Sequence, residues 1–141
     1  MNIVTCLVMN NYYYHCLEKL NNIAKEDVKY KFELITNRNK NECPKLIIWT
    51  IATESDYAIL SNVKDEFDIY QTVLIIEKLP SNNKQKELIE KLRENKKYYI
   101  YYNEPNNKEF YNEDFFKSII DKLLNEEITR LMQFQYVRLT G

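Results

Sequence analysis

Several groups of residues in this chain could do chemistry. Glu77 and Glu104 follow two apolar runs and offer a carboxylate pair for general acid–base work or, with Glu54 or Asp56, a site for a hard cation. The competing reading is a set of solvated carboxylates at the ends of strands, and it is the favoured one. The single histidine, His15, stands beside Cys16, which suggests a Cys–His dyad. Adjacent helical residues point about 100° apart, so they do not face each other for proton transfer. A core thiol and a surface imidazole fit better. Cys6 and Cys43 lack the paired spacing and the further ligands that zinc requires. Tyr12–Tyr14 could stack on bases, but no basic residue interleaves them, so they read as a patch at a helix start. The most basic stretch, Lys84–Lys97, carries Glu87, Glu90 and Glu94 at helical spacing and reads as a solvated helix face. Trp49, inside an apolar run, reads as core.

Composition narrows the chemistry further. One of the 141 residues is glycine, and it is Gly141. Without internal glycine there is no Walker A loop, no dinucleotide-binding turn and no nucleophile elbow, all of which need close backbone approach or positive φ. Twenty basic and 21 acidic side chains leave a net charge of −1, so no global field draws the chain to nucleic acid or an anionic membrane. The apolar runs are far shorter than the roughly 20 residues that span a bilayer. Met1–Met9 lacks the basic start and small-residue cleavage site of a signal peptide. Three cysteines without C-x-x-C spacing match a reducing cytosol, which is the expected compartment. Length and the absence of a Pro/Gly/Ser-rich linker give one domain over residues 1–141. The abundance of Asn, Lys, Ile, Tyr and Phe reflects AT-rich coding. The 17 asparagines are expected to take over the turn work of the missing glycines, since they tolerate left-handed backbone.

These groups must be held by elements that the hydrophobic pattern sets out. Asn2–Met9 reads as a strand and Tyr13–Lys25 as a helix, with Tyr13, Cys16, Leu17, Leu20 and Ile23 on one face. Tyr30–Ile35 alternates and reads as a strand near an edge, and Asn37–Glu42 as a loop. Lys45–Ala52 and Thr72–Glu77 are continuous apolar runs, the pattern of strands buried on both faces. Ser55–Phe67 is a weaker helix. Ser81 is placed to cap a helix over Lys84–Lys96, Tyr98–Tyr102 is a strand, and Glu113–Leu131 a long helix. Phe134–Thr140 is a tail or a further strand. Five strands alternating with four helices predict a doubly wound α/β fold with a parallel sheet. Ile35–Lys45 carries no helical pattern and is short for a parallel crossover. Ligands of such sheets bind at the carboxyl ends of the strands, which here are Leu7–Asn11, Thr50–Glu54, Glu77–Leu79 and Asn103–Pro105.

The order of these runs, with Pro44-Lys45-Leu46-Ile47-Ile48-Trp49-Thr50 as strand 3 and Tyr99-Ile100-Tyr101-Tyr102-Asn103-Glu104-Pro105 as strand 5, resembles a response-regulator receiver domain. The resemblance covers about residues 1–126. Met1-Asn2-Ile3-Val4-Thr5-Cys6 and Leu17-Glu18-Lys19-Leu20 look most like receivers of LytTR-type regulators. It implies a flavodoxin- or CheY-like strand order, 2-1-3-4-5. It also implies a pocket of an acidic pair after strand 1, an aspartate ending strand 3, a Ser/Thr ending strand 4 and a Lys-Pro ending strand 5. Here the acidic pair falls on Leu7 and Val8, or on Asn10 and Asn11. The phosphoacceptor falls on Thr50, the Ser/Thr near Glu77, and the lysine on Glu104, with Pro105 retained. The corresponding peptide is commonly cis in receivers, so a cis Glu104–Pro105 bond is expected.

A pocket so changed cannot carry an acyl phosphate, and paired glutamates repel phosphate where a receiver attracts it. The expectation is a non-enzymatic pseudo-receiver that needs no cofactor or metal. It would work through a protein partner or a homodimer, without membrane or nucleic-acid contact. The partner-facing surface implied by the resemblance includes Lys91, Tyr98, Tyr102 and Glu113, with Tyr102 at the aromatic switch position. One alternative is a small flavodoxin-like enzyme or ligand sensor using the strand-end carboxylates. Another is a mobile-element or viral protein that binds and blocks a host factor.

Overall fold

A computed structural model of the chain describes residues 2–22, 28–37, 44–67, 69–102 and 112–123. Strands β1 (Asn2–Val8), β2 (Val28–Leu34), β3 (Leu46–Ile51), β4 (Thr72–Ile76) and β5 (Tyr98–Tyr102) form one sheet. Its order is β2-β1-β3-β4-β5, and every pairing is parallel. Among the described residues four α-helices accompany it: α1 (Tyr14–Glu18), α2 (Glu54–Phe67), α3 (Asn83–Glu94) and α4 (113–123). The doubly wound α/β architecture with the 2-1-3-4-5 order is therefore present.

Burial follows from the strand sequences. Every residue of Leu46-Ile-Ile-Trp-Thr-Ile51 and of Thr72-Val-Leu-Ile-Ile76 is buried, as expected for central parallel strands covered on both faces. Alternation sends Val4, Cys6, Val8, Leu46, Ile48, Val73 and Ile75 to one face, where Leu17, Leu20, Phe116, Ile120 and Leu123 cover them. Leu7, Ile47, Trp49, Ile51, Leu74 and Ile76 go to the other, beneath Tyr57, Leu60, Phe67, Ile89 and Leu92. Thus α1 and α4 lie on one side and α2 and α3 on the other. Each long helix carries an apolar stripe for this purpose, such as Phe116, Ile120 and Leu123 at i, i+4 and i+7. The ring of Trp49 meets Phe67 edge-on at 6.4 Å.

Helix starts are set by side chains. Thr53 Oγ1 accepts from Asp56 N at 3.3 Å while Asp56 Oδ2 accepts from Thr53 N at 2.9 Å, a reciprocal capping box for α2. The cap of α3 is Asn82, whose side chain accepts from Gln85 N at 2.9 Å. This corrects the expectation of Ser81, which donates its hydroxyl to Glu54 instead.

Other boundaries shift for physical reasons. The first helix, expected over Tyr13–Lys25, closes at Glu18 and tightens into a 3₁₀ turn over Lys19–Asn22. Asn21 then clamps the Tyr30 backbone, donating to its carbonyl at 2.9 Å and accepting from its N–H at 2.8 Å. Such a side chain competes with helical hydrogen bonding and turns the chain into β2. Strand β2 consequently starts at Val28, two residues before the expected Tyr30, and it is an edge as expected. The β2–β3 connection contains a 3₁₀ turn, Ile35–Asn37, and no α-helix among the described residues. The expected end of the last helix, 124–131, and the segment Phe134–Thr140 lie outside the described residues. So do Cys43, Glu104, Pro105 and the expected cis bond between the last two. No described residue has positive φ, so the expected left-handed asparagines are not found among them.

Candidate functional site

The carboxyl end of the sheet is where a parallel α/β fold exposes strand-terminal residues from several elements together. β1 ends in Leu7 and Val8, each 2 % exposed and facing opposite cores, so neither reaches the rim. Asn10 stands just beyond and donates its Nδ2 to the Thr50 carbonyl at 2.6 Å, strapping the end of β1 to that of β3. Thr50 is itself 2 % exposed. Ile51 O accepts from both Glu77 N and Lys78 N at 2.9 Å, which fixes the end of β4 against the end of β3.

Glu77 is half-buried and accepts a hydrogen bond from the Tyr13 hydroxyl across 64 positions of sequence. The Tyr13 ring packs on Phe116 of α4 at 5.3 Å and edge-on against Tyr12 at 4.9 Å. Partial burial, with the Glu77 carboxylate beside it, pushes the Tyr12 hydroxyl upward from its ordinary pKa. At the end of β4 the Glu77 carboxylate is therefore engaged by an aromatic side chain.

Asp56 and Glu54, the other acidic candidates among the described residues, are also engaged, each in a different network. Asp56 accepts the N–H groups of Ala52 and Thr53 at 2.9 Å as part of the helix cap. Glu54 accepts from Gln85 and from Ser81 Oγ and pairs with Lys78 at 3.6 Å. Those hydrogen bonds, with the lysine, hold its carboxyl below the usual carboxylate range. Gln85, 9 % exposed, ties this group to the cap of α3 by accepting from Ser81 N at 2.8 Å. No group of three or more His, Cys, Asp or Glu among the described residues is placed to hold a metal ion. His15 is 95 % exposed in its side chain and lies 3.9 Å from Glu18. Burial, reinforced by Glu113, pushes the neighbouring Cys16 thiol up to about 11, the opposite of what a nucleophile needs.

Of the residues read as partner-facing, Tyr98 lies buried in the core beneath α3, at 7 % exposure. Tyr102 is half-buried, and Arg93 of α3 both sits over its ring at 5.4 Å and donates to its hydroxyl. Lys91 is exposed on α3, and Glu113 pairs with Lys19 at 3.9 Å where α4 begins. Sequence reasoning missed the Tyr13–Glu77 bond, the Asn10–Thr50 strap and the Gln85 bridge. Each joins residues distant in sequence, so no local spacing announces it.

The fold and this rim define a doubly wound α/β protein with tied strand ends. No protein-family model matches the sequence, and no curated protein matches it. Among the described residues no helix is long and apolar enough to cross a membrane.

Proposed function

We propose that the chain is a receiver-like regulatory domain that acts by protein–protein association, without phosphorylation and without catalysis. The observation that carries this reading is Thr50. It stands at the carboxyl end of the central strand β3, where a receiver presents its nucleophilic aspartate; it is buried, and its backbone carbonyl accepts from Asn10. A threonine hydroxyl cannot form an acyl phosphate. Leu7 and Val8, or Asn10 and Asn11, onto which the resemblance carries the magnesium-binding pair, offer no carboxylate. The strand order and the division of helices between the two faces support the same reading.

A domain without the phosphorylation chemistry keeps its surfaces. The α3–β5 side, with Lys91 and the Arg93–Tyr102 stack, supplies mixed charge and aromatic area suited to a partner protein or a second copy, while Glu113 lies on the opposite side, paired with Lys19. The test is incubation with a small acyl-phosphate donor and Mg²⁺, followed by intact-mass measurement. The mass stays unchanged under this reading. A hydroxylamine-sensitive gain of one phosphoryl group refutes it.

A further inference from the structure

We infer that the cleft between α2 and α3 binds a free α-amino acid with an apolar side chain. Its walls belong to α2, to α3 and to the cap of α3, and it encloses about 390 Å³. That is toward the small end of the roughly 300–1,000 Å³ typical of small-molecule sites. The cleft exists because Ala58 and Ser61 line it from α2, with Leu88 lining it from α3. Side chains of leucine size at positions 58 and 61 would fill the gap between the two helices. Deeper, toward the sheet, Leu60, Ile89 and Leu92 are buried and leave no such gap.

Charge sits at one end of the cleft. Glu54 and Lys84 both line it, and each stands in the first turn of its helix. The hydrogen bond from Gln85 to Glu54 holds those two turns together. Glu54 stays ionised, because hydrogen bonds from Gln85 and Ser81, with Lys78 beside them, hold its carboxyl below the usual range. Its side chain is nevertheless 53 % exposed, so the carboxylate can accept from a further donor. Lys84 is exposed, and among the described residues no hydrogen bond or ion pair engages it. A carboxylate and an ammonium at the same end suit a zwitterion, with the ligand's ammonium on Glu54 and its carboxylate on Lys84. Glu54 also disfavours a phosphorylated ligand, which would bring like charge against it.

Further along, the cleft is apolar. An α-helix rises about 1.5 Å per residue, so Ala58 and Leu88 each lie about 6 Å beyond Glu54 and Lys84 along their helices. That is about the reach of a leucine, methionine or phenylalanine side chain measured from its charged head. Tyr57 lines the same stretch, and its hydroxyl is tied to the Lys78 carbonyl, which leaves the ring as apolar surface. Among the described residues no charged group other than Glu54 and Lys84 lines the cleft. The ligand thus meets one opposite charge for each of its own, and its side chain meets carbon.

The probe is L-leucine, titrated against the whole chain while amide shifts are followed. Isoamylamine and 4-methylpentanoate serve as the analogues that lack the carboxylate and the ammonium. Leucine should shift Ala58, Ser61, Lys84 and Leu88, and each analogue should bind roughly tenfold more weakly or worse. Lys84→Gln should lower leucine to the affinity of the amine and leave the amine unchanged. Glu54→Gln should do the same with respect to the acid. Ala58→Leu, at an exposed helical position, should fill the cleft and abolish binding while Tm is retained. The inference is overturned if leucine shifts no amide or shifts amides elsewhere, or if either analogue binds as well as leucine. It is equally overturned if both charge variants, or Ala58→Leu, bind leucine as the parent does. The phosphodonor experiment reads Thr50 and not this cleft, so either result there leaves these outcomes unchanged.

Discussion

Replacing Cys6 with alanine tests how this core responds to alkali. Cys6 is wholly buried in β1 among Val4, Val8, Leu17 and Phe116, and burial pushes its thiol from 9.0 up to about 12. The unfolded chain releases this proton above pH 9.0, while the folded chain keeps it until about pH 12. Because the folded value is the higher one, the contribution is complete below pH 9.0 and is lost as pH rises toward 12. Linkage sets the limiting slope at about 1.36 kcal/mol per pH unit, and the loss accumulated between pH 7.5 and 10 is about 1.4 kcal/mol. Cys6→Ala gives up roughly 1 kcal/mol of packing at neutral pH but removes the slope. Cys16 titrates in both proteins and cancels in the difference. Urea unfolding under reducing conditions from pH 7.5 to 10 reads the effect, with m values compared to exclude a change in compactness. The parent's advantage of roughly 1 kcal/mol should fall by about 1.4 kcal/mol and so reverse slightly by pH 10. Parallel pH curves would falsify the fully buried thiol.

Two further outcomes follow from the same packing. Tyr30 donates to Asp121 at 2.7 Å, and Lys117 holds the other oxygen of that carboxylate at 2.7 Å, joining the edge strand β2 to α4. Tyr30→Phe should cost about 1.5–3 kcal/mol, and a cycle with Asp121→Asn should show the two effects to be non-additive; full additivity in urea denaturation contradicts the link. Thr50→Asp should place an unpartnered carboxylate at a site 2 % exposed, costing roughly 2 kcal/mol or more at pH 7 and less as acid protonates it. A variant as stable as the parent at pH 7 would show instead that the strand end is open to water.

The sheet was readable because β3 and β4 are apolar without interruption, and only a strand covered on both faces tolerates that. The α3 cap was misplaced by one residue because Ser81 and Asn82 are both good caps, and the choice depends on Glu54, 27 positions earlier, taking the serine hydroxyl. The end of the first helix was unreadable for a similar reason. The Ile23 position continues the helical pattern, but Asn21 finds the Tyr30 backbone only once β2 has docked. At the site, topology told which strand ends to inspect and put Thr50 and Glu77 there. It could not tell that Tyr13 reaches Glu77, since that bond requires β1 and β4 to lie in one sheet with β3 between them.

The scarcity of glycine acquires a different meaning from these contacts. Left-handed asparagine was the expected substitute, yet no described residue has positive φ. Asparagine instead acts through its amide. Asn82 caps α3, and Asn112 accepts from Phe115 N at 3.1 Å at the start of α4. Asn95 accepts from Lys97 N at 3.0 Å where α3 gives way to β5, and Asn21 clamps β2. Asn10 straps β1 to β3 by the same means. A glycine supplies a turn through backbone freedom and so adds entropy to the unfolded chain, whereas an asparagine amide supplies a bond that exists only when the turn is made. Phosphate-binding loops need the former, because the anion must approach bare backbone. At the end of β3 the connection is secured by a side-chain amide instead, with Asn10 bonded to the Thr50 carbonyl.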